Sequence, residues 1–71
     1  MYLIHMKTER HGRKIKGWYS GTSFGIETMA WNGHVFKNKE FCDSVAKALS
    51  GIKHFLDETF FIETKVVPIE R

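Results

Sequence analysis

The hydrophobic pattern of this chain changes its period at Asn38, and that change constrains the fold more than any other feature of the sequence. Before Asn38, apolar residues tend to alternate with polar ones, as in strands that bury one side. After Asn38, apolar residues recur at spacings of mostly three and four and form one stripe. They are Phe41, Val45, Ala48, Leu49, Ile52, Phe55 and Leu56. The pattern predicts one long amphipathic helix over residues 39–57, with Asn38 as its N-cap.

Five segments outside this helix have the composition of strands. They are residues 2–8, 14–20, 24–31, 34–37 and 60–67. Between the third and fourth, Asn32-Gly33 favours a two-residue turn that pairs these strands and places Phe36 opposite Met29. The predicted order is β-β-β-β-α-β. It indicates a small α+β domain of two layers, in which an antiparallel sheet of four or five strands carries the helix on one face.

The length and the cysteine count bound how such a fold is stabilised. The 71 residues make one domain, 1–71, near the size at which a hydrophobic core only just offsets the entropy of ordering the chain. Cys42 is the single cysteine, so an intrachain disulfide is excluded, and no Cys/His pair has zinc-finger spacing. The N-terminal MYLIHMKTER lacks the features of a signal peptide, and no segment approaches the length of a membrane span. We therefore expect a cytoplasmic domain held together by its core or by a partner chain.

The stretch ERHGRKIKGWYSG, residues 9–21, contains four basic residues and one acidic residue, which accounts for the whole net charge of +3. Such an asymmetry favours an anionic partner. The candidate nucleic-acid contacts are four cations for phosphates and one ring for stacking on a base. They are Arg10, Arg13, Lys14, Lys16 and Trp18. The alternative is a solvated hairpin tip whose Trp18 and Tyr19 belong to the core.

The run from Arg13 to Leu49, which includes GHVFKNKEFCDSVAKAL, resembles in hydrophobic pattern two DNA-binding families. These are the plant ethylene-response-factor domain and the integrase arm-binding domain. The resemblance implies a three-stranded sheet whose face enters the DNA major groove, followed by an amphipathic helix. The chain is also similar in plan to short proteins of phages and mobile elements, in which a hairpin is followed by a helix and a valine-rich strand.

Residues that would support catalysis or metal binding are scattered along the sequence. His5, His11, His34 and His54 fall in different predicted elements, without H-x-x-x-H or C-x-x-C spacing, and the glycines form no phosphate-binding loop. Cys42 is expected to be a small buried side chain and not a nucleophile. The sequence thus predicts a protein that is not an enzyme, with no cofactor and no metal site.

Ten aromatic residues in 71 are many for one small core, and a sheet of this kind leaves two edges unpaired. Both features favour protein contacts, with some aromatic rings on a surface that is buried only in a complex; the candidates are Tyr2, Trp18, Trp31, Phe60 and Phe61. The alternative is that the helix and sheet cover all of these rings. The sequence therefore predicts a small non-enzymatic binding module, of phage or mobile-element type, acting on a protein partner or as a homodimer. The alternative is DNA or other nucleic-acid binding through the basic hairpin 10–18. Neither a membrane nor a small-molecule substrate is expected as a partner.

Overall fold

The computed structural model describes most of the chain. The described residues are 1–10, 12–21, 26–27, 33–55 and 58–69. The elements in chain order are β1 (Tyr2–Arg10), β2 (Arg13–Tyr19), β3 (Ile26–Glu27), α1 (Lys39–Leu49), β4 (Gly51–Phe55) and β5 (Glu58–Pro68). The α+β class is confirmed, with an antiparallel sheet and one helix packed on it.

The sheet has the strand order β3-β2-β1-β5-β4, and every neighbouring pair is antiparallel. Two hairpins, β1–β2 and β4–β5, are joined through their long strands β1 and β5. The two ends of the chain meet at this central pair, where the Ile69 N–H donates to the Met1 carbonyl at 2.8 Å. The central strands are therefore formed by residues from the two extremes of the sequence.

The core lies between α1 and one face of the sheet. Strand β1 shows the period of two directly, since Ile4 and Met6 are buried whereas His5 and Lys7 point to the other face. The buried cluster draws on the central strands, the helix and the segment before the helix. Its members are Ile4, Met6, Phe36, Cys42, Ala46, Phe60 and Ile62.

The helix is shorter than the sequence predicted, and the order of elements is corrected with it. It ends at Leu49, and Ser50 has extended backbone angles while its N–H still donates to the Ala46 carbonyl. Gly51 then has a φ of +100°, a conformation that glycine adopts at little cost. Residues 51–55 form strand β4, so the order is β-β-β-α-β-β instead of β-β-β-β-α-β.

The face that α1 buries also differs from the predicted stripe. Asn38 is confirmed as the N-cap, because its side-chain oxygen accepts the Phe41 N–H at 3.0 Å. The residues turned fully toward the sheet are Cys42 and Ala46, with Val45 partly buried beside them. Their small side chains let the helix approach the strands closely, and Phe41 is left 61% exposed at the margin.

The remaining members of the predicted stripe lie elsewhere. Ala48 is exposed on the helix, and Leu49 is partly buried against the core. Ile52 is an exposed residue of β4. Phe55 is the last residue of β4, and Leu56 lies outside the described residues.

The segment before the helix does not form the predicted fourth strand. Phe36 makes an isolated bridge with Tyr2, with both backbone hydrogen bonds at 2.8 Å. Two residues earlier, the His34 N–H donates to the Tyr19 carbonyl of β2 at 2.7 Å. Because its hydrogen bonds go to the ends of two adjacent strands, this segment connects β1 and β2 and does not form a further strand. The turn at Asn32-Gly33 and the pairing with Met29 lie outside the described residues.

Two threonines on the helix side of the sheet allow a matched test of buried hydrogen bonding. The Thr8 hydroxyl is buried without a partner among the described residues, whereas the Thr64 hydroxyl donates to the Ala46 carbonyl at 3.0 Å. We expect Thr8→Val to raise the free energy of unfolding by about 1 kcal/mol and Thr64→Val to lower it by about 1 kcal/mol. Urea denaturation followed by circular dichroism measures both, and changes of the same sign would contradict the assignment.

Candidate nucleic-acid interface

The face of the sheet opposite α1 is accessible over much of its area, and we call this region the open face. Because side chains alternate along a strand, it receives every second residue of β1, β2, β4 and β5. Besides the cross-strand pair His54 and Thr59 at the end of β4, its members are His5, Lys7, Glu9, Lys14, Lys16, Trp18, Ile52, Phe61, Glu63 and Lys65. At the start of β1 the accessible area stops before Leu3, which is only 2% exposed.

The strand register arranges the open face in three rows across the sheet. In order from β4 to β2, the rows are Ile52–Phe61–Glu9–Lys14, then Glu63–Lys7–Lys16, then Lys65–His5–Trp18. Neighbours within a row lie about 5 Å apart, and successive rows are about 7 Å apart along the strands. All four lysines therefore fall within an area about 14 Å long and two strand spacings wide.

The open face is electropositive, with four lysines against two glutamates. We call Lys7, Lys14, Lys16 and Lys65 the lysine cluster. Among the residues that the structure describes, none of these four forms an ion pair within 4.0 Å. Lys7 and Lys16 are direct cross-strand partners of like charge, whereas Glu63 lies opposite Lys7 on β5 and Glu9 lies opposite Lys14. The charges on the ten side chains of the three rows, four lysines and two glutamates, sum to +2.

His5 reports the same positive field. Partial burial, followed by the charges of Lys7, Lys16 and Lys65, lowers the pKa of His5 below its ordinary value of 6.5. Its ring meets Trp18 edge to face, with centroids 4.9 Å apart and an interplanar angle of 78°. This contact holds Trp18 in place within the third row. Trp18 is thereby half-buried, with part of its surface still accessible.

The depressed pKa predicts how stability depends on pH. As the pH falls, His5 of the unfolded chain takes up a proton before His5 of the folded chain does. His5 therefore makes its full contribution to the free energy of unfolding above about pH 6.5, and this contribution declines as the pH falls below that value. We expect a nuclear magnetic resonance titration to give His5 a pKa below 6.5. Lys65→Ala should raise this pKa by removing one of the repelling charges. A His5 pKa at or above 6.5 in the wild type would contradict the conclusion that burial and the nearby lysine charges lower it.

A groove of about 650 Å³ runs across the first two rows of the open face. Charged side chains from β1, β2 and β5 line it together with Phe61. The lining residues on the open face are Lys7, Glu9, Lys14, Lys16, Phe61 and Glu63, and Thr8 and Ile15, which alternate toward the helix side, complete the lining. The groove is partly open to solvent and is not an enclosed cavity.

The residues predicted as nucleic-acid contacts are only partly brought together. Lys14, Lys16 and Trp18 lie on the open face. Arg13 is exposed at the start of β2, but alternation directs it to the opposite side from Lys14. Arg10 pairs with Arg13 through the backbone, and the position of its side chain is outside what the structure describes.

The register also brings in residues that the sequence pattern had not indicated as nucleic-acid contacts. Lys7, Lys65 and Phe61 join the site because β1 pairs with both β2 and β5. Their signal in the sequence was the alternation of charged and apolar residues in the first and last strands. That signal indicates one exposed face, but not which strands are neighbours.

The candidate catalytic groups lie apart. Cys42 is buried in the core, as expected, and burial, followed by the Asp43 charge, raises the pKa of its thiol. His34 packs edge to face on Phe36, at a centroid distance of 4.7 Å. On β4, the His54 Nδ1 lies 3.1 Å from the Thr59 hydroxyl. Within the described ranges, no three His, Cys, Asp or Glu side chains are placed to hold a metal ion.

Comparison of the chain with protein families, with curated proteins and with solved structures finds no match. The similarity to the plant and integrase domains is therefore one of hydrophobic pattern alone. Among the described residues, no helix has the length and apolar character needed to cross a membrane.

Proposed function

We propose that this chain is a small, non-enzymatic nucleic-acid-binding module of the cytoplasm, and that the open face is its binding surface. One observation carries the proposal. Four lysines without ion-pair partners among the described residues converge from three strands on one accessible sheet face. Lysines grouped in this way attract phosphates, and aromatic rings on the same face add contacts to bases.

The number of lysines sets the expected strength and salt dependence of binding. Each phosphate neutralised contributes a slope of about −0.7 on single strands and about −0.9 on duplex DNA in a plot of log affinity against log salt concentration. If all four lysines bind phosphates, a fourfold rise in salt weakens binding roughly 50-fold for a single strand and roughly 150-fold for a duplex. Binding through this surface is thus moderate in strength and strongly sensitive to salt.

The experiment is direct binding of fluorescently labelled DNA and RNA, each as single strand and as duplex, measured by anisotropy at about 50 and 200 mM salt. The proposal predicts saturable binding at the lower concentration that weakens by the factors above at the higher one. Absence of binding to all four ligands at the lower salt concentration would refute it.

A second function, self-association, is favoured by the apolar end of the open face. Ile52 on β4 and its cross-strand neighbour Phe61 are 68% and 51% exposed, and β4 is one of the two outer strands of the described sheet. A second copy that pairs antiparallel with β4 would complete the backbone hydrogen bonds of the edge and shield this apolar pair. We take self-association as the alternative function because pairing of β4 with β4 of a second copy would continue the sheet from one copy into the other.

Light scattering separates the two functions. Self-association predicts twice the monomer mass of 8.3 kDa at micromolar concentration, and Ile52→Lys should return the protein to a monomer. A wild-type mass of one monomer would exclude this second function and leave nucleic-acid binding untouched.

A further inference from the structure

Two aromatic rings lie at opposite corners of the lysine cluster. Phe61 belongs to the first row on β5, and Trp18 to the third row on β2. Phe61 is 51% exposed, and no aromatic ring among the described residues packs against it. Trp18 is held by His5 and keeps part of its surface accessible. Both rings are therefore available to an external planar group.

The surroundings of Phe61 favour a base over a phosphate. Its neighbours within the row are Ile52 and Glu9, and Glu63 follows two residues along the same strand. The two carboxylates repel a phosphate at this corner, whereas a neutral base finds an apolar ring beside an apolar side chain. Phosphates are drawn instead toward Lys16, whose neighbour within the row is Lys7, and toward Lys65 in the third row, which contains no acidic residue.

The distance between the two rings matches a short stretch of one strand. Phe61 and Trp18 are separated by two strand spacings and two rows, which places them about 17 Å apart. Five nucleotide steps span that distance at the stacked rise of about 3.4 Å, and fewer steps suffice for an extended strand. Lys7 lies midway along the diagonal, where it can meet the phosphates between the two bases.

We infer that the open face selects single-stranded nucleic acid, and that Phe61 and Trp18 each stack on one base while the lysine cluster holds the phosphates between them. This inference rests on the proposed function. A duplex keeps its bases paired and stacked inside the helix, so it can use the lysines but not the rings. Each stacked base strengthens binding about 5-fold to 150-fold, and this gain is available to a single strand alone.

The test compares Phe61→Ala with the control Phe41→Ala, which removes an exposed phenylalanine of the helix (61% exposed, against 51% for Phe61). The ligands are an eight-residue oligothymidine and a DNA duplex of about 12 base pairs at low salt. We expect Phe61→Ala to weaken binding of the single strand at least about 5-fold and to leave duplex binding unchanged. Phe41→Ala should alter neither, and Phe61→Tyr, which keeps the ring, should restore binding of the single strand.

Trp18 gives an independent optical readout. In a Trp31→Phe background, Trp18 is the only tryptophan, and its emission should be quenched when the oligothymidine binds. Circular dichroism of this variant verifies its folding before the titration.

The outcomes separate this inference from the proposed function. Duplex bound as tightly as the single strand, or equal effects of Phe61→Ala and Phe41→Ala, would overturn the inference and leave nucleic-acid binding in place. Unchanged Trp18 emission on saturation with the single strand would overturn the assignment of Trp18. Failure to bind any nucleic acid would instead reject the proposed function and the inference together.

Discussion

Replacing Ile4 by alanine is expected to lower the free energy of unfolding by about 2–5 kcal/mol. Ile4 is fully buried in the central strand β1 and belongs to the main core cluster. A domain of this size is stabilised by only about 4–10 kcal/mol. The substitution therefore removes about half of the total free energy of unfolding. The loss is large because the cavity forms where the two hairpins and the helix meet.

Urea denaturation followed by circular dichroism measures this loss. The matched control is Ile15→Ala on β2, where the side chain is 43% exposed and the expected loss is below about 1 kcal/mol. Equal losses for the two variants would contradict the placement of the core.

The double substitution of Lys7 and Lys16 by alanine is expected to weaken nucleic-acid binding about 100-fold at 50 mM salt. These two lysines form the centre of the open face and are direct cross-strand partners. Removing two phosphate contacts should also flatten the salt slope by about 1.5, since each contact contributes about 0.7–0.9. The change is measured by anisotropy over a series of salt concentrations.

The control pair for this experiment is Lys37 and Lys47, which are exposed outside the open face. Lys53 is unsuitable as a control, because its amino group donates to the Ala48 carbonyl at 2.7 Å and stabilises the end of the helix. Alanine at both control positions should leave the slope unchanged. If the two pairs lower affinity equally, the attraction is diffuse and the open face is not a site.

The elements that could be predicted from the sequence are those set by local chemistry. Asn38 caps the helix through its own side chain, and β1 and β2 follow from alternation around a glycine turn at Gly12. The end of the helix could not be predicted in this way. Residues 51–55, GIKHF, fit a helical stripe as well as a short strand, and pairing with β5 selects the strand.

The candidate site was predictable only where its residues are close in the sequence. Lys14, Lys16 and Trp18 share one strand, so alternation placed them on one face. Lys65 and Phe61 join them only through the register of β5 against β1, which connects segments more than fifty residues apart. The register of β5 against β1 cannot be predicted from the hydrophobic period or the charge pattern, because this register is set by packing of the whole sheet.

The open face as a nucleic-acid-binding surface is tested most directly by mapping where a ligand binds. The measurement is a titration of ¹⁵N-labelled protein with an eight-residue oligothymidine at low salt, followed through the backbone amide resonances. We predict that the largest shifts fall in residues 5–9, 14–18 and 61–65, while α1 at Lys39–Leu49 changes little. Shifts centred on α1, or no shifts at saturating oligonucleotide, would contradict this account.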